Sequence, residues 1–247
     1  MNHFIITGAS RGIGRSLAVA LAGPGTTLHL TARGDLGELL ETVSKRGAAA
    51  HAWQFDLART DGITLLTEEI FDNINQDEAG LIALVNNAGM LQPIGPIGKH
   101  DTDQYRQNLE VNFVAPALLM HEFVKRTANF SGELRVLNVS SGASKNAYHG
   151  WSHYCSTKAG LDMLTDCLHL EHRARIKTFG FNPGRTDTKM QDEIREQSPE
   201  DFQYVQSFID AKTQGKLNSP ETIAEMMKIV LLENRFEPGK MVSARDF

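Results

Sequence analysis

Along the chain, short runs rich in apolar and β-branched residues alternate with longer stretches in which apolar residues return every three or four positions. The short runs His3–Thr7, Thr26–Thr31, Ala49–Phe55, Leu81–Asn86, Leu134–Val139, Ile176–Phe181 and Lys240–Ser243 predict seven strands. The longer stretches Ile13–Ala22, Leu36–Arg46, Asp61–Asn75, Thr102–Thr127, Tyr154–Arg173 and Pro220–Glu233 predict helices, several opening near an Asp, Ser or Thr able to cap the first turn. Such alternation leads to a parallel sheet, because each parallel connection crosses over and its helix covers one face. The expected fold is α/β: one domain over residues 1–247, a doubly wound, mainly parallel seven-stranded sheet with helices on both faces. Pro183–Leu217 departs from the pattern, being polar, weakly periodic and long for a simple connection, and residues 185–217 are read as a substrate lid.

At 247 residues the chain can bury one substantial core, and 41% hydrophobic with 22% charged residues is ordinary for a globular enzyme. The formal charge is −5 and no Lys/Arg stripe runs through the sequence, which argues against nucleic acid as a partner. The strand-like run at His3 leaves no room for a secretory leader, and no apolar segment approaches the ~20 residues that span a bilayer. A cytoplasmic protein without membrane attachment is expected. Cys155 and Cys167 fall in one predicted helix, roughly 18 Å apart along its axis, too far for a disulfide, so free thiols are expected. His169 and His172 lie about one helical turn apart but lack an obvious third ligand, and no metal site is expected.

The first strand runs into Thr7-Gly8-Ala9-Ser10-Arg11-Gly12-Ile13-Gly14 and then directly into a helix. Gly8, Gly12 and Gly14 permit a tight turn and close backbone approach, and the following helix offers unpaired N–H groups of Ser10 to Ile13 to a pyrophosphate. A tight bend without a ligand is the alternative. Arg33 follows the second strand, where an acidic residue would bind a ribose diol, and with Arg11 it favours a 2′-phosphate and hence NADPH/NADP+ over NADH; Asp35 nearby weakens this, and solvated arginines are the alternative. Asp56-Leu57 after the third strand either meets the adenine or caps a turn. Asn86-Asn87-Ala88-Gly89 ends the fourth strand with small residues that would let the backbone of Asn87, Ala88 and Gly89 approach the cofactor, or simply form a turn.

Tyr154 and Lys158, at i and i+4, share one helix face, so the ammonium is expected to lower the tyrosine pKa from ~10 and make Tyr154 a proton donor to a nascent alkoxide. Taken in order, Thr7–Gly14, Asn86–Gly89, Asn112, Ser141, Tyr154-Cys155-Ser156-Thr157-Lys158 and Pro183-Gly184 resemble the motifs of the short-chain dehydrogenase/reductase family over most of the chain. The resemblance implies a Rossmann-like fold, with Ser141 as a hydrogen-bond donor to the substrate carbonyl and Lys158 on the nicotinamide ribose. It further implies a role for Asn112 in a water relay, against the alternative of accommodating a helix kink, and a loop of Pro183, Gly184, Thr186 and Thr188 over the nicotinamide. Thr188 contacts the carboxamide or caps the next helix. Ser140 is one position out of register for the serine role. The family also pairs subunits through helices corresponding to Thr102–Thr127 and Tyr154–Arg173, implying a homodimer or homotetramer.

The stretch Ser141–Met163 and Asp187-Thr188-Lys189-Met190 are similar to the sepiapterin reductase and benzil reductase branch. In that branch an acidic residue in a Gly-x-x-hydrophobic-Asp pattern anchors the pterin. Here Gly239-Lys240-Met241-Val242-Ser243 places Ser at that position, with Asp246 three residues on. Tyr148 and Trp151, between Ser141 and Tyr154, point to an aromatic substrate or anchor the loop in the core; Met90, Leu91, Pro93 and Ile94 would form another wall, and Phe202, Tyr204 and Phe208 a cover. The expected activity is NADPH-dependent reduction of a small aromatic ketone or α-diketone of the benzil kind. The alternatives are a sepiapterin-type pterin ketone reductase and a non-catalytic NADP(H)-binding sensor.

Overall fold

The computed structural model describes Met1–Phe247. Its seven strands are β1 (Asn2–Thr7), β2 (Thr26–Ala32), β3 (Ala49–Gln54), β4 (Leu81–Asn86), β5 (Glu133–Val139), β6 (Ile176–Asn182) and β7 (Met241–Ser243). They form one sheet in the order β3-β2-β1-β4-β5-β6-β7, every pairing parallel. The fold is therefore the Rossmann-like α/β arrangement expected. Strand order reverses between β1 and β4, and a crevice opens beyond the carboxyl ends of strands at such a point.

Strand residues alternate between two cores. Phe4 and Ile6 of β1 pack with Leu17 of α1 (Gly12–Leu21), Val43 of α2 (Gly37–Lys45) and a helix near the C-terminus, while Ile5 faces the opposite core. There it meets α3 (Ile63–Asp72) through Ile70 and two further helices through Phe123 and Leu161. Burial on both faces is why these strands read as near-continuous apolar runs.

The helix expected over Thr102–Thr127 is interrupted: α4 (Thr102–Leu109) passes through a π-helical turn, Glu110–Val114, into α5 (Ala115–Arg126). Pro116 supplies the reason, since proline has no N–H for the carbonyl of Asn112 and its ring crowds that carbonyl. The active-site helix α6 runs over Ser152–His172, starting before the expected Tyr154. The segment read as weakly patterned contains α7 (Lys189–Arg195) and α8 (Val205–Thr213), followed by α9 (Pro220–Leu232). Ile194, Val205 and Phe208 from this segment close a third, smaller core over Trp151 and Tyr154.

The end of β1 is tied to the end of β4 by Thr7, whose Oγ1 accepts from the N–H groups of both Asn87 and Ala88 at 3.0 Å. Asn87 returns the link, donating from Nδ2 to the Thr7 carbonyl at 2.9 Å. Thr7→Val keeps the shape but leaves the Ala88 N–H without its acceptor and the Asn87 N–H with only the Val85 carbonyl at 3.1 Å, so the variant is expected to lose about 2 kcal/mol of stability. Chemical denaturation measures this, and an unchanged midpoint would contradict the role given to the hydroxyl.

Candidate active site

Beyond the carboxyl ends of the strands lies a cleft of about 1360 Å³. Gly8, Ser10, Arg11, Gly12 and Ile13 line it at one end, with Arg33, Asp56 and Leu57 beside them. Asn87, Ala88 and Gly89 line its floor, Ser141, Tyr148, Trp151, Tyr154 and Lys158 its far end, and Pro183, Gly184, Thr186 and Thr188 its other wall. Two residues singled out from the sequence, Gly14 and Asn112, lie behind the lining.

The glycine turn has the features a phosphate needs. Gly8 and Gly12 adopt φ of 69° and 55°, which other residues rarely tolerate. A Cβ on Gly14 would sit 2.4 Å from both Asn87 Nδ2 and the Gly8 carbonyl, so this glycine permits close packing of α1 on the turn. The N-cap of α1, Arg11, is extended and makes no side-chain cap, and the first turn carries no acidic residue, leaving the amides and the dipole free for an anion. Across the cleft Thr188 is the N-cap of α7 but makes no capping bond; its Cγ2 lies 3.3 Å from where a Gly12 Cβ would be. Asp56 Oδ1 accepts from Ala58 N–H at 3.0 Å, the turn-capping role, and Asp35 Oδ1 accepts from Gly37 N–H at 3.0 Å. Arg11 and Arg33 are exposed and form no ion pair.

At the far end Tyr154 and Lys158 share the buried face of α6, with the Lys158 Nζ 5.8 Å from the Tyr154 ring centre. Nζ donates to the Val139 carbonyl at 2.9 Å, pinning α6 to the end of β5. Ser141 Oγ accepts from Ala143 N–H at 3.2 Å, which leaves its own hydrogen to donate, and its hydroxyl acts on Tyr154 in the direction that favours the tyrosinate. Ser140, its neighbour, is committed elsewhere, donating to the carboxylate of Asp162.

The expected lowering of the tyrosine pKa is not what the structure gives. Burial pushes Tyr154 up to about 12, with the Ser141 hydrogen bond opposing the rise. Burial likewise pushes Lys158 down, to about 8, against the opposing field of Asp162. The spacing argument reckoned the cation and omitted the desolvation that both groups suffer. The consequence is that Tyr154 holds its proton throughout the neutral range.

Asn112 occupies the π turn, fully buried. Its Oδ1 accepts from Met90 N–H at 2.9 Å, and its Nδ2 donates to the Met90 carbonyl at 2.7 Å and to Asn108 Oδ1 at 2.8 Å. The side chain thus holds the Gly89–Met90 backbone. A Cβ on Gly89 would lie 3.3 Å from Asn112 Oδ1 and 3.8 Å from Lys158 Nζ, so only glycine lets a flat ligand pass close to the lysine here.

Trp151 is both anchor and wall: it lines the cleft, stacks on Phe202 at 4.4 Å and meets Tyr154 edge-on at 5.7 Å. Of the expected cover, Phe208 lines the cleft, Phe202 is fully buried behind Trp151, and Tyr204 is largely exposed against Tyr148. The sequence reading missed Asp162, Arg185, Lys189, Lys216 and Arg245, of which the last four line the cleft. Cys155 and Cys167 are free thiols. No helix is long and apolar enough to cross a membrane.

Comparison with known proteins gives a consistent picture. The short chain dehydrogenase family profile matches residues 2–199. A benzil reductase, (S)-benzoin forming, of Bacillus cereus is 36% identical over 245 residues, covering 98% of both chains. Sepiapterin reductase of Rattus norvegicus is 30% identical over 254 residues, covering 98% of this chain and 95% of its own. The crystal structure of the KRED1-Pglu enzyme superposes with a TM-score of 0.83 at 29% identity, covering 98% of this chain and all of that one. This chain belongs to the short-chain dehydrogenase family and is, with it, a nicotinamide-dependent oxidoreductase acting at carbonyl or CH–OH groups, within the benzil and sepiapterin reductase-like branch.

Proposed function

We propose that the protein is an NADPH-dependent reductase of aromatic ketones and α-diketones, benzil-like in substrate class, with Tyr154, Ser141 and Lys158 as its catalytic groups. The reading is carried by one observation: a glycine turn suited to a pyrophosphate and a buried Ser–Tyr–Lys set under an aromatic wall line the same cleft. Relatives named benzil reductase add to it.

When bound, reduced nicotinamide supplies hydride to the carbonyl carbon. The chain's own groups handle the oxygen. Tyr154 donates its phenolic hydrogen to the developing alkoxide, which is far more basic than a phenolate. Ser141, one of whose lone pairs accepts from Ala143 N–H, donates a second hydrogen bond to the same oxygen. In this reading the Lys158 ammonium stabilises the tyrosinate left behind and binds the ribose. Trp151 and Phe208 exclude water from the reacting carbonyl and offer flat surface to an aryl ring. Asn87, Ala88, Gly89, Pro183, Gly184, Thr186 and Thr188 are assigned to the nicotinamide half of the cofactor, and Gly8 to Gly14 with Asp56 and Leu57 to the rest.

Charge supports NADPH. Although the chain carries −5 overall, the cleft is lined by eight Lys or Arg and only two acidic residues, Asp56 and Asp187. Asp35, the acidic residue nearest the diol position, has its carboxylate turned to the start of α2. Residues 185–217, holding α7 and α8, act as the lid in this reading. A pterin ketone is the second reading, on the sepiapterin reductase likeness, but Asp246 is folded back to accept from Ser243 N–H at 2.7 Å, and Arg245 lines the cleft instead. A sensor would have no use for the assembled acid and lysine. Assembly as a homodimer or homotetramer through α5 and α6, whose Leu118, Met163 and Leu170 are exposed, belongs to the same reading.

On a panel of benzil, simpler aromatic ketones and sepiapterin, NADPH oxidation is expected with benzil and the aromatic ketones first, and Tyr154→Phe should abolish most of it while binding NADPH normally; turnover by the variant at the native rate would end the assignment. Arg33→Ala should raise the Kd for NADPH at least tenfold and leave NADH within a factor of two, by fluorescence titration; equal losses would remove the phosphate argument. Because the Lys158 pKa is depressed to about 8, its ammonium is present below that pH and lost above it. The kcat/KM for reduction should therefore be level at neutral pH and fall as pH rises through about 8; a profile flat to pH 10 would contradict the role of the lysine.

A further inference from the structure

Asp162 stands at i+4 from Lys158 and i+8 from Tyr154 on α6, so the three share one helix face. It is 4% exposed, as is Lys158, and a carboxylate at that depth needs partners. It has two. Ser140 Oγ donates to Oδ1, and the Lys145 ammonium lies 3.5 Å from Oδ2, which has no hydrogen bond. Both come from the segment that carries Ser141: Ser140 precedes it, and Lys145 follows the 3₁₀ turn Gly142–Ser144 that Ser141 caps. The other end of this segment is fixed by the sheet, Ser140 N–H donating to the Phe181 carbonyl at 2.7 Å.

We propose that Asp162 is a positioning residue of the reaction, acting through two neighbours: it tethers the turn bearing Ser141 to the active-site helix, and it is the buried counter-charge of Lys158. This rests on the reductase reading above for its functional meaning, but the physical claim concerns this chain alone. Lys158 donates to a neutral carbonyl, that of Val139, and forms no ion pair. The charged and titratable groups around it are Tyr154 and Asp162 on its own helix and Lys145 from the segment after β5; Asn112, across Gly89, is neutral. Asp162 is the one anion in that set, and its field opposes the loss of the lysine's proton. Lys145, 69% exposed, is a like charge on the same carboxylate.

The test separates tether from counter-charge and does not depend on knowing the substrate. The Lys158 titration is read by NMR of lysine-labelled protein, its signal assigned with Lys158→Met, alongside the pH profile of benzil reduction. Asp162→Asn keeps size and one hydrogen bond but removes the charge, and Lys158 is expected to titrate about one pH unit lower, with the alkaline limb of kcat/KM moving by the same amount. Lys145→Met, at an exposed site, should move the titration upward, because it removes a like charge and frees the carboxylate. Ser140→Ala should lower kcat severalfold while leaving the titration in place. If Asp162→Asn fails to fold, the upward shift in Lys145→Met decides. A Lys158 titration unmoved in folded Asp162→Asn and in Lys145→Met overturns the proposal. Shifts without any carbonyl turnover by the native protein would uphold the counter-charge of Lys158 and overturn the reductase reading instead.

Discussion

The hydrogen bond from the Lys158 ammonium to the Val139 carbonyl fixes the active-site helix against the end of β5. A buried ammonium is costly unless every direction it faces is polar, so the contact holds only if α6 sits at one height along the strand. That height sets the rest. Tyr154 is one turn earlier on the same helix, and Ser141 follows Val139 by two residues, at the start of the turn beyond β5, so helix and strand end bring phenol and hydroxyl to the same place. An error of one helical turn would separate them by about 5 Å.

The floor opposite is fixed by a different device. Proline at 116 cannot continue an α-helix through Asn112, and the extra residue absorbed by the π turn aims the Asn112 amide at Met90. Of the two alternatives for this asparagine, the helix irregularity is the one in view: it sits in the π turn, and through Met90 it holds Gly89 against the lysine. An irregularity in a helix thus holds a strand-end loop in place, which a flat ring can approach closely.

The sheet and the principal site were legible because they depend on short-range spacing. Apolar runs gave the parallel strands, glycines at positions 8, 12 and 14 gave the turn, and the interval from Tyr154 to Lys158 gave the pair. What escaped depends on contacts between distant segments. The α7 and α8 helices bury too few residues, Ile194, Val205 and Phe208 among them, to leave a clear stripe. Asp162 looks like any polar residue of an amphipathic helix until Ser140, twenty-two positions earlier, is folded beside it. The direction of the tyrosine shift escaped for a related reason, since spacing reveals a neighbouring charge but not how much water has been removed.

Removing that water has a further effect on the chemistry. With the stacked Trp151 and Phe202 on one side and the sheet on the other, the reacting oxygen would sit where fixed charges and dipoles act at full strength rather than through solvent. A phenol in such a place resists ionising on its own, which keeps it an acid at neutral pH, yet it yields its proton readily to a stronger base formed alongside an ammonium already in position. In the proposed reaction the aromatic wall therefore serves recognition and electrostatics at once: the rings offered to an aryl ketone also help bury Tyr154, and burial raises its pKa. Opening that wall to solvent would let the pKa of Tyr154 relax toward its ordinary value and weaken the lysine's hold on the tyrosinate, so substrate preference and acid strength cannot be altered independently at this site.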